Sequence, residues 1–295
     1  MDSLEERVNE NMKLKVLSYN IKDGFYNSLF QNPNPQYQSE REKLAKKVVS
    51  EYNPDVLVLP EACSYRENTK TDRVQDYQKI FGKKNFPFVG YADMFQDGIF
   101  GVAVLSKYPM TTEDLSDHGR ALVRSYIDLP NNRRITLDGL HLMSSEKNRN
   151  GCNSKDKAKW LRGKIEKVQT PYILAGDFNG LSPQDTYDRN KMLKGFNSLP
   201  WIKPDVSSWI VDDLLKSEEI KQVLSKGMID SYKKVQAKQD YTLPTNLNGS
   251  TTDSASRVDY VFCSADIKVK DAGIIKSESA EMASDHYPVF AELEF

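Results

Sequence analysis

The chain has 295 residues, 39% hydrophobic and 10% aromatic, enough apolar surface for a folded core and too much for a disordered polymer. A formal net charge of −1 excludes a polycation, so contact with a polyanion has to come from a local patch. Three widely spaced cysteines, Cys63, Cys152 and Cys263, lack any CxxC pair and read as reduced thiols, not as a disulfide framework or zinc site.

Residues 1–12 form a polar leader with early acids and no apolar core, which is not the pattern of a signal peptide. No apolar run approaches the ~18 residues of a membrane span, so the expectation is a cytoplasmic protein without stable membrane insertion. Residues 13–295 read as a single α/β domain in which short apolar strands alternate with amphipathic helices. The first strand is expected near residues 14–20. A helix over 41–52 places Leu44, Val48 and Val49 on one side and stops at Asn53-Pro54. A buried strand over 54–62 and a helix over 73–81 follow, then a strand over 98–106. Strands over 121–129 and 134–140 flank Pro130-Asn-Asn132, a hairpin signal. A helix over 155–169 leads into a strand ending at Asp177, and a helix over 208–226 carries Ile210, Leu214, Leu215 and Ile220 on one face. Strands over 258–262, 267–275 and 289–295 close the chain. The loop 241–256, rich in Gly, Ser, Thr and Asn, precedes Asp259 and is expected to hang over the same region. Asn248-Gly-Ser250 fits a glycosylation sequon that carries no meaning without a signal peptide.

The informative pattern is at the strand ends. Pro171-Tyr-Ile-Leu-Ala-Gly-Asp177-Phe-Asn179-Gly180 runs from an apolar strand straight into a carboxylate and an amide, and Ser284-Asp285-His286-Tyr287-Pro288 pairs an acid with a histidine. Burial penalises such groups unless they are partnered, so a working site at the strand ends is the simplest reason for them. Asp177 can take a proton from water, Asn179 can hold that water or a phosphate oxygen, and Asp285 with His286 can bind metal and stabilise charge. The pattern recurs in Leu17-Ser-Tyr-Asn20, Leu59-Pro-Glu61, Leu140-His141 and Arg257-Val-Asp259. Each alone is an ordinary turn, surface or core residue. Chance does not readily supply all six in order.

With these motifs the chain resembles the endonuclease/exonuclease/phosphatase superfamily, which includes pancreatic deoxyribonuclease, apurinic/apyrimidinic endonucleases, sphingomyelinases and inositol polyphosphate 5-phosphatases. The matching stretches run from Leu17 to Phe290, and Gly176-Asp177-Phe178-Asn179 and Ser284-Asp285-His286 are the most specific. One departure is visible. Several members place an Asp two residues after the first Asn, whereas here that position is Lys22 and Asp23 follows it. The resemblance implies a four-layer α/β sandwich, two packed mixed sheets flanked by helices, with the site on loops at one rim. It implies Mg²⁺ as cofactor, with Mn²⁺ able to substitute, held by Glu61 and Asp285. Asn20 would support the phosphate and metal shell, and Asp177 would orient or deprotonate the water that Asn179 fixes. His141 would donate to a phosphate oxygen or the leaving group, and His286, set in one tautomer by Asp259, would hydrogen-bond a phosphate oxygen. His118 is given no role.

Residues 147–167 carry eight basic and two acidic side chains. This stretch is either a solvated helix face or a rail for a polyanion beside His141, with Lys155, Lys159 and Arg162 as contacts. The rail favours nucleic acid, DNA over RNA, as partner and a nuclease as the function. The alternative is a phosphatase or phospholipase C-type hydrolase acting on a phosphoinositide or sphingomyelin-like substrate. A Trp-Cys-Asp-Arg segment typical of inositol 5-phosphatases is missing; the corresponding stretch reads Ser256-Arg-Val-Asp-Tyr260.

Overall fold

The computed structural model describes residues 12–27, 35–63, 73–95, 100–117, 119–130, 132–145, 152–199, 202–248 and 252–295. Most of the leader, His118, Lys147, Arg149 and the Gly-Ser of the sequon lie outside the described residues.

In chain order the strands and helices are β1 (Lys13–Ser18), α1 (Ser39–Tyr52), β2 (Val56–Cys63), α2 (Arg73–Phe81), β3 (Phe88–Asp93), β4 (Phe100–Ser106), β5 (Met110–Asp114), β6 (Arg120–Asp128) and β7 (Arg134–Leu142). Then come α3 (Ser154–Ile165), β8 (Tyr172–Asp177), α4 (Arg189–Asn197), α5 (Pro204–Leu214), α6 (Glu218–Leu224), β9 (Ile229–Asp230), α7 (Ser231–Val235), β10 (Asp259–Cys263), β11 (Lys268–Ile274), α8 (Glu278–Ala283) and β12 (Val289–Glu294).

The strands form two six-stranded mixed sheets, ordered β11-β12-β1-β2-β4-β3 and β5-β6-β7-β8-β10-β9. β1 and β2 are parallel, as are β7 and β8, and the other pairs are antiparallel. Between the sheets lies one apolar layer that includes Val16, Val58, Val102, Val123, Leu137, Ala175, Val261 and Ala291. The outer face of the first sheet is covered by α1, α2 and α8 through Ala45, Val48, Tyr77 and Ala280. The outer face of the second is covered by α3 and α6 through Leu161, Ile165, Ile220 and Val223. The four layers expected from the resemblance are therefore present. β8 is buried along its whole length because both of its faces are packed, which is why it reads as an unbroken apolar run.

α1 begins with Glu40 and Glu42 in its first turn, favourable near the positive end of the helix dipole. It ends where Asn53 turns left-handed and returns its N–H to Val49. The hairpin β6–β7 pairs Asp128 with Arg134 and Arg120 with Leu142. Three expectations differ from the structure. The helix over 155–169 stops at Ile165, and a turn at Glu166–Lys167 leads the chain through Pro171 into β8. The helix over 208–226 is two helices, α5 and α6, broken at Ser217, which is left-handed at φ 55°. Its four apolar residues do not share a face: Ile210, Leu214 and Leu215 pack around Met192, and Ile220 packs with Leu161. Strands β3 and β5 went unread because partial exposure blurs their alternation. Among the described residues no helix is long and apolar enough to cross a membrane.

Candidate active site

The pairing of the sheets brings the six strand-end motifs to one rim. β7 and β8 run parallel, so His141 and Asp177 at their C-terminal ends stand side by side. β10 runs antiparallel to β8, so Asp259 at its start is the register partner of Asp177. In the other sheet, Asn20 and Glu61 follow the parallel pair β1–β2, and antiparallel β12 starts just after Asp285-His286.

Local backbone aims these side chains. Glu61 is the extra residue of a β-bulge between Pro60 and Ala62, left-handed at φ 58°, which turns its carboxylate to the rim. Asn179 is left-handed too, at φ 43°. A side chain is rarely held in this region, and the strain, of order 1 kcal/mol or more each, tends to collect at functional positions. Gly176 has no substitute: a Cβ there would lie 1.9 Å from the carbonyl of Leu140.

The polar groups form one continuous network. Asn20 Nδ2 donates to Glu61 Oε1 and Asp177 Oδ2, both at 3.0 Å, and so joins the two sheets. Asp177 Oδ1 accepts from the Asn179 amide at 2.7 Å, and Asn179 Nδ2 donates to Leu142 O at 2.8 Å. His141 Nε2 lies 3.7 Å from Asp177 Oδ2. His286 Nδ1 is 2.8 Å from Asp259 Oδ2. Asp23 donates its backbone N–H to Glu61 Oε2 at 2.7 Å.

The two histidines are driven in opposite directions. Burial, helped by the charge of His286, pushes His141 down to about 3, so it is a neutral imidazole at physiological pH. Burial also pulls on His286, but Asp259, Asp177 and Asp285 outweigh it and raise it to about 10. His286 is therefore an imidazolium, held by Asp259 with Nε2 left for the rim. Asp177 is raised to about 8 by burial and by Asp259, which suits a base working near neutral pH. Burial and then Asp285 raise Glu61. Burial also pushes Asp285 up, but His286, Lys22 and Arg41 overcome it and hold Asp285 below the usual carboxylate range.

Several residues that shape the rim went unread in the sequence. Arg41 is buried, and its guanidinium donates to the carbonyls of Ile21, Lys22, Tyr26 and Ala283, tying the loop after Asn20 to the segment before Asp285. The signal was there: Arg41 shares the helical stripe of Ala45, Val48 and Val49, where an apolar residue belongs. Lys157, counted with the basic rail, instead points inward. It is fully buried, donates to Asn179 O at 2.6 Å and pairs with buried Glu219 at 3.1 Å. Lys155, Lys159 and Arg162 do lie exposed, on one face of α3. In the loop 241–256, Thr242 Oγ1 accepts the amides of Val258 and Asp259, and Thr245 binds the carbonyls of Ser284 and Asp285, so this loop braces both acids from the side.

The donor set suits a hard divalent cation. Glu61, His141 and Asp177 offer ligand atoms within 4.8 Å of one another, as do Asp177, Asp259 and His286. Among the described residues Asp259 Oδ1 is buried with no hydrogen-bond partner, an orphan acceptor that a cation or bound water would satisfy. Asp285 belongs to neither group of three, and its Oδ2 accepts from Lys22 Nζ at 3.0 Å.

The profile of the Endonuclease/Exonuclease/phosphatase family matches residues 17–286, and the chain belongs to that family. Its members are hydrolases of phosphoester bonds and generally depend on a divalent metal ion. No curated protein matched the chain in a sequence search. Solved structures of the same fold include an AP endonuclease from Archaeoglobus fulgidus, 18% identical, at a TM-score of 0.65 over 94% of this chain and 98% of that one. D. rerio TDP2 in complex with a single-strand DNA product is 19% identical, at 0.59 over 96% and 99%. A mannosyl-6-phosphatase from Bacteroides thetaiotaomicron VPI-5482 is 18% identical, at 0.58 over 96% and 100%.

Proposed function

We propose that this protein is a Mg²⁺-dependent phosphodiesterase that cleaves nucleic acid, DNA in preference to RNA. The observation that carries the phosphodiester reading is the junction of the two sheets. There Asn20 bridges Glu61 and Asp177 while the Asp259–His286 pair stands across Asp177. Glu61 and Asp285 would hold the metal, within reach of Asp177 and the histidines. When bound, the cation neutralises phosphoryl charge and makes the attacking water more acidic.

The side chains have separate tasks. Asp177 takes the proton from the attacking water, and its raised affinity for protons makes it an effective base at neutral pH. Asn179, fixed to Leu142 O, orients that water. The His286 imidazolium, held by Asp259, donates to a phosphoryl oxygen and offsets the charge that builds on it. Neutral His141 donates a hydrogen bond toward a phosphate oxygen or the leaving group. Asn20 keeps Glu61 and Asp177 at fixed separation.

The choice of nucleic acid is supported by the exposed Lys155, Lys159 and Arg162 on α3, whose first turn adjoins Asn179 through Lys157. The AP endonuclease and the DNA-bound TDP2 show that this fold serves nucleic acid, and the mannosyl-6-phosphatase shows that it also serves sugar phosphates. The test is hydrolysis of labelled single- and double-stranded DNA and RNA, an abasic duplex, a sugar phosphate and sphingomyelin, each with Mg²⁺ and with EDTA. Cleavage of a nucleic acid only with metal is expected. Neutralising Lys155, Lys159 and Arg162 together should reduce the salt dependence of binding by about one log-log unit per lost phosphate contact. Turnover confined to the sugar phosphate or sphingomyelin, or undiminished in EDTA, would overturn the assignment.

A further inference from the structure

Lys22 stands beside the carboxylates of Glu61, Asp23 and Asp285, and its side chain reaches the last of them. Its backbone is pinned at both ends. The Lys22 N–H donates to Asn20 Oδ1 at 2.9 Å, and the Lys22 carbonyl accepts from Arg41 at 3.0 Å. The residue is left-handed at φ 43°, and so is Asp23 at 52°. Gly24 follows at φ 59°, and a Cβ on it would meet Cys63 O at 2.7 Å. This tight packing fixes the turn against the end of β2. Its Nζ reaches Asp285 Oδ2 at 3.0 Å, and both side chains are less than one-fifth exposed. Glu61, Asp23 and Asp285 all feel one another's charge here, while the Arg41 guanidinium is committed to backbone carbonyls.

We infer that Lys22 is a tethered counter-ion that competes with the divalent cation for Asp285. Building on the metal-dependent reading above, the inference concerns the strength and order of cation binding. An ammonium and a divalent ion cannot both neutralise the same carboxylate oxygen at close range without repelling each other. Metal entry therefore requires Nζ to leave Asp285. The cost of that exchange lowers metal affinity below what the carboxylates would otherwise give. In the metal-free protein Lys22 joins His286 and Arg41 in offsetting the charge of this mostly buried acid. Once displaced, the ammonium stays on its fixed backbone within a side chain's length of the cluster, where a phosphate anion is its natural partner. The device couples cation binding to the freeing of a positive charge for substrate.

Direct Mn²⁺ titration, by calorimetry or by the free-ion EPR signal, separates the possibilities, with thermal melts in EDTA alongside. Lys22→Met and Lys22→Gln should bind Mn²⁺ roughly tenfold more tightly than the natural chain, the equivalent of about 1.4 kcal/mol. Both variants should melt lower than the natural chain in EDTA and gain more from saturating Mn²⁺. A merely structural lysine would give the lower melting point without the tighter binding. Equal or weaker Mn²⁺ binding in both folded variants would overturn the inference while leaving the metal-dependent reading intact. Mn²⁺ binding to none of the three proteins would overturn both.

Discussion

Asp259→Asn isolates the charge that holds His286, because the amide keeps the shape of the carboxylate. Both side chains are buried, 1% and 5% exposed, and their contact is 2.8 Å. The folded protein raises His286 from 6.5 to about 10, a rise worth at most about 5 kcal/mol. Asp177 and Asp285 share in that rise, so a loss of ~3 kcal/mol is expected, the low end for breaking a buried pair. The pH dependence has a definite sign. A base bound more tightly to its proton when folded contributes fully below pH 6.5 and loses that contribution as pH climbs through about 10. In the variant only Asp177 and Asp285 are left to offset burial, so His286 gives up its proton at a lower pH than in the natural chain, and the gap between the two proteins should be widest at pH 6 and nearly closed near pH 10. Urea melts in EDTA at the two pH values measure it, with metal kept out of the balance. The kcat should also fall, by roughly two orders of magnitude, since the imidazolium is less favoured and loses the carboxylate that fixes its ring. A loss of stability that is the same at both pH values would refute the claim that His286 is charged in the folded state.

Asp177→Asn should leave the fold intact and lower kcat by roughly two to four orders of magnitude, read in single-turnover hydrolysis of whichever substrate the panel identifies. Lys157→Met should cost ~3–5 kcal/mol in urea melts by stranding Glu219, and the double variant with Glu219→Gln should recover much of it. Retention of full stability by Lys157→Met would mean that the buried pair does not hold Asn179. Asp23 is raised to about 7 by burial and by Glu61, so ionising it costs stability progressively from pH 3.8 upward. Asp23→Asn should therefore melt higher than the natural chain at pH 8 in EDTA, by about 1–2 kcal/mol, with the gap closed at pH 4. The opposite ordering at pH 8 would show that Lys22 and Arg41 outweigh the carboxylates around it.

What the sequence made legible was chemistry carried by a single strand end. An apolar run followed at once by Asp, Asn, Glu or His needs no knowledge of neighbours, so Asn20, Glu61, His141, Asp177, Asn179, Asp259, Asp285 and His286 could all be singled out. The layered fold followed from the resemblance those motifs carry. What remained hidden depends on where distant segments land. Lys157 looks like one more charge in a basic stretch until α6 delivers Glu219 to it across 62 positions of sequence. Ser217 gives no warning of the left-handed turn that sends α5 and α6 to different cores. Thr242 is an ordinary loop threonine unless the start of β10 is known to need its hydroxyl.

The arrangement of the two histidines shows how far residue type falls short of chemical role. His141 and His286 both follow or precede apolar strands, and both end up nearly buried at the same rim. Burial alone would make each of them neutral. The difference lies in the carboxylates: Asp259 reaches His286 Nδ1 at 2.8 Å, with Asp177 and Asp285 adding their charge, whereas among the described residues His141 Nδ1 has no hydrogen-bond partner and its ring packs 5.4 Å from that of Phe100. One imidazole thereby becomes a fixed positive charge and the other a neutral ring. That division rests on the register of β10 against β8, which sets Asp259 beside Asp177 and under His286. Slipping β10 by a single residue would turn Asp259 to the other face of the sheet and take from His286 its hydrogen-bonded carboxylate, with Asp177 no longer raised by its neighbour. The chemistry of the rim is thus written as much in strand pairing as in the residues that line it.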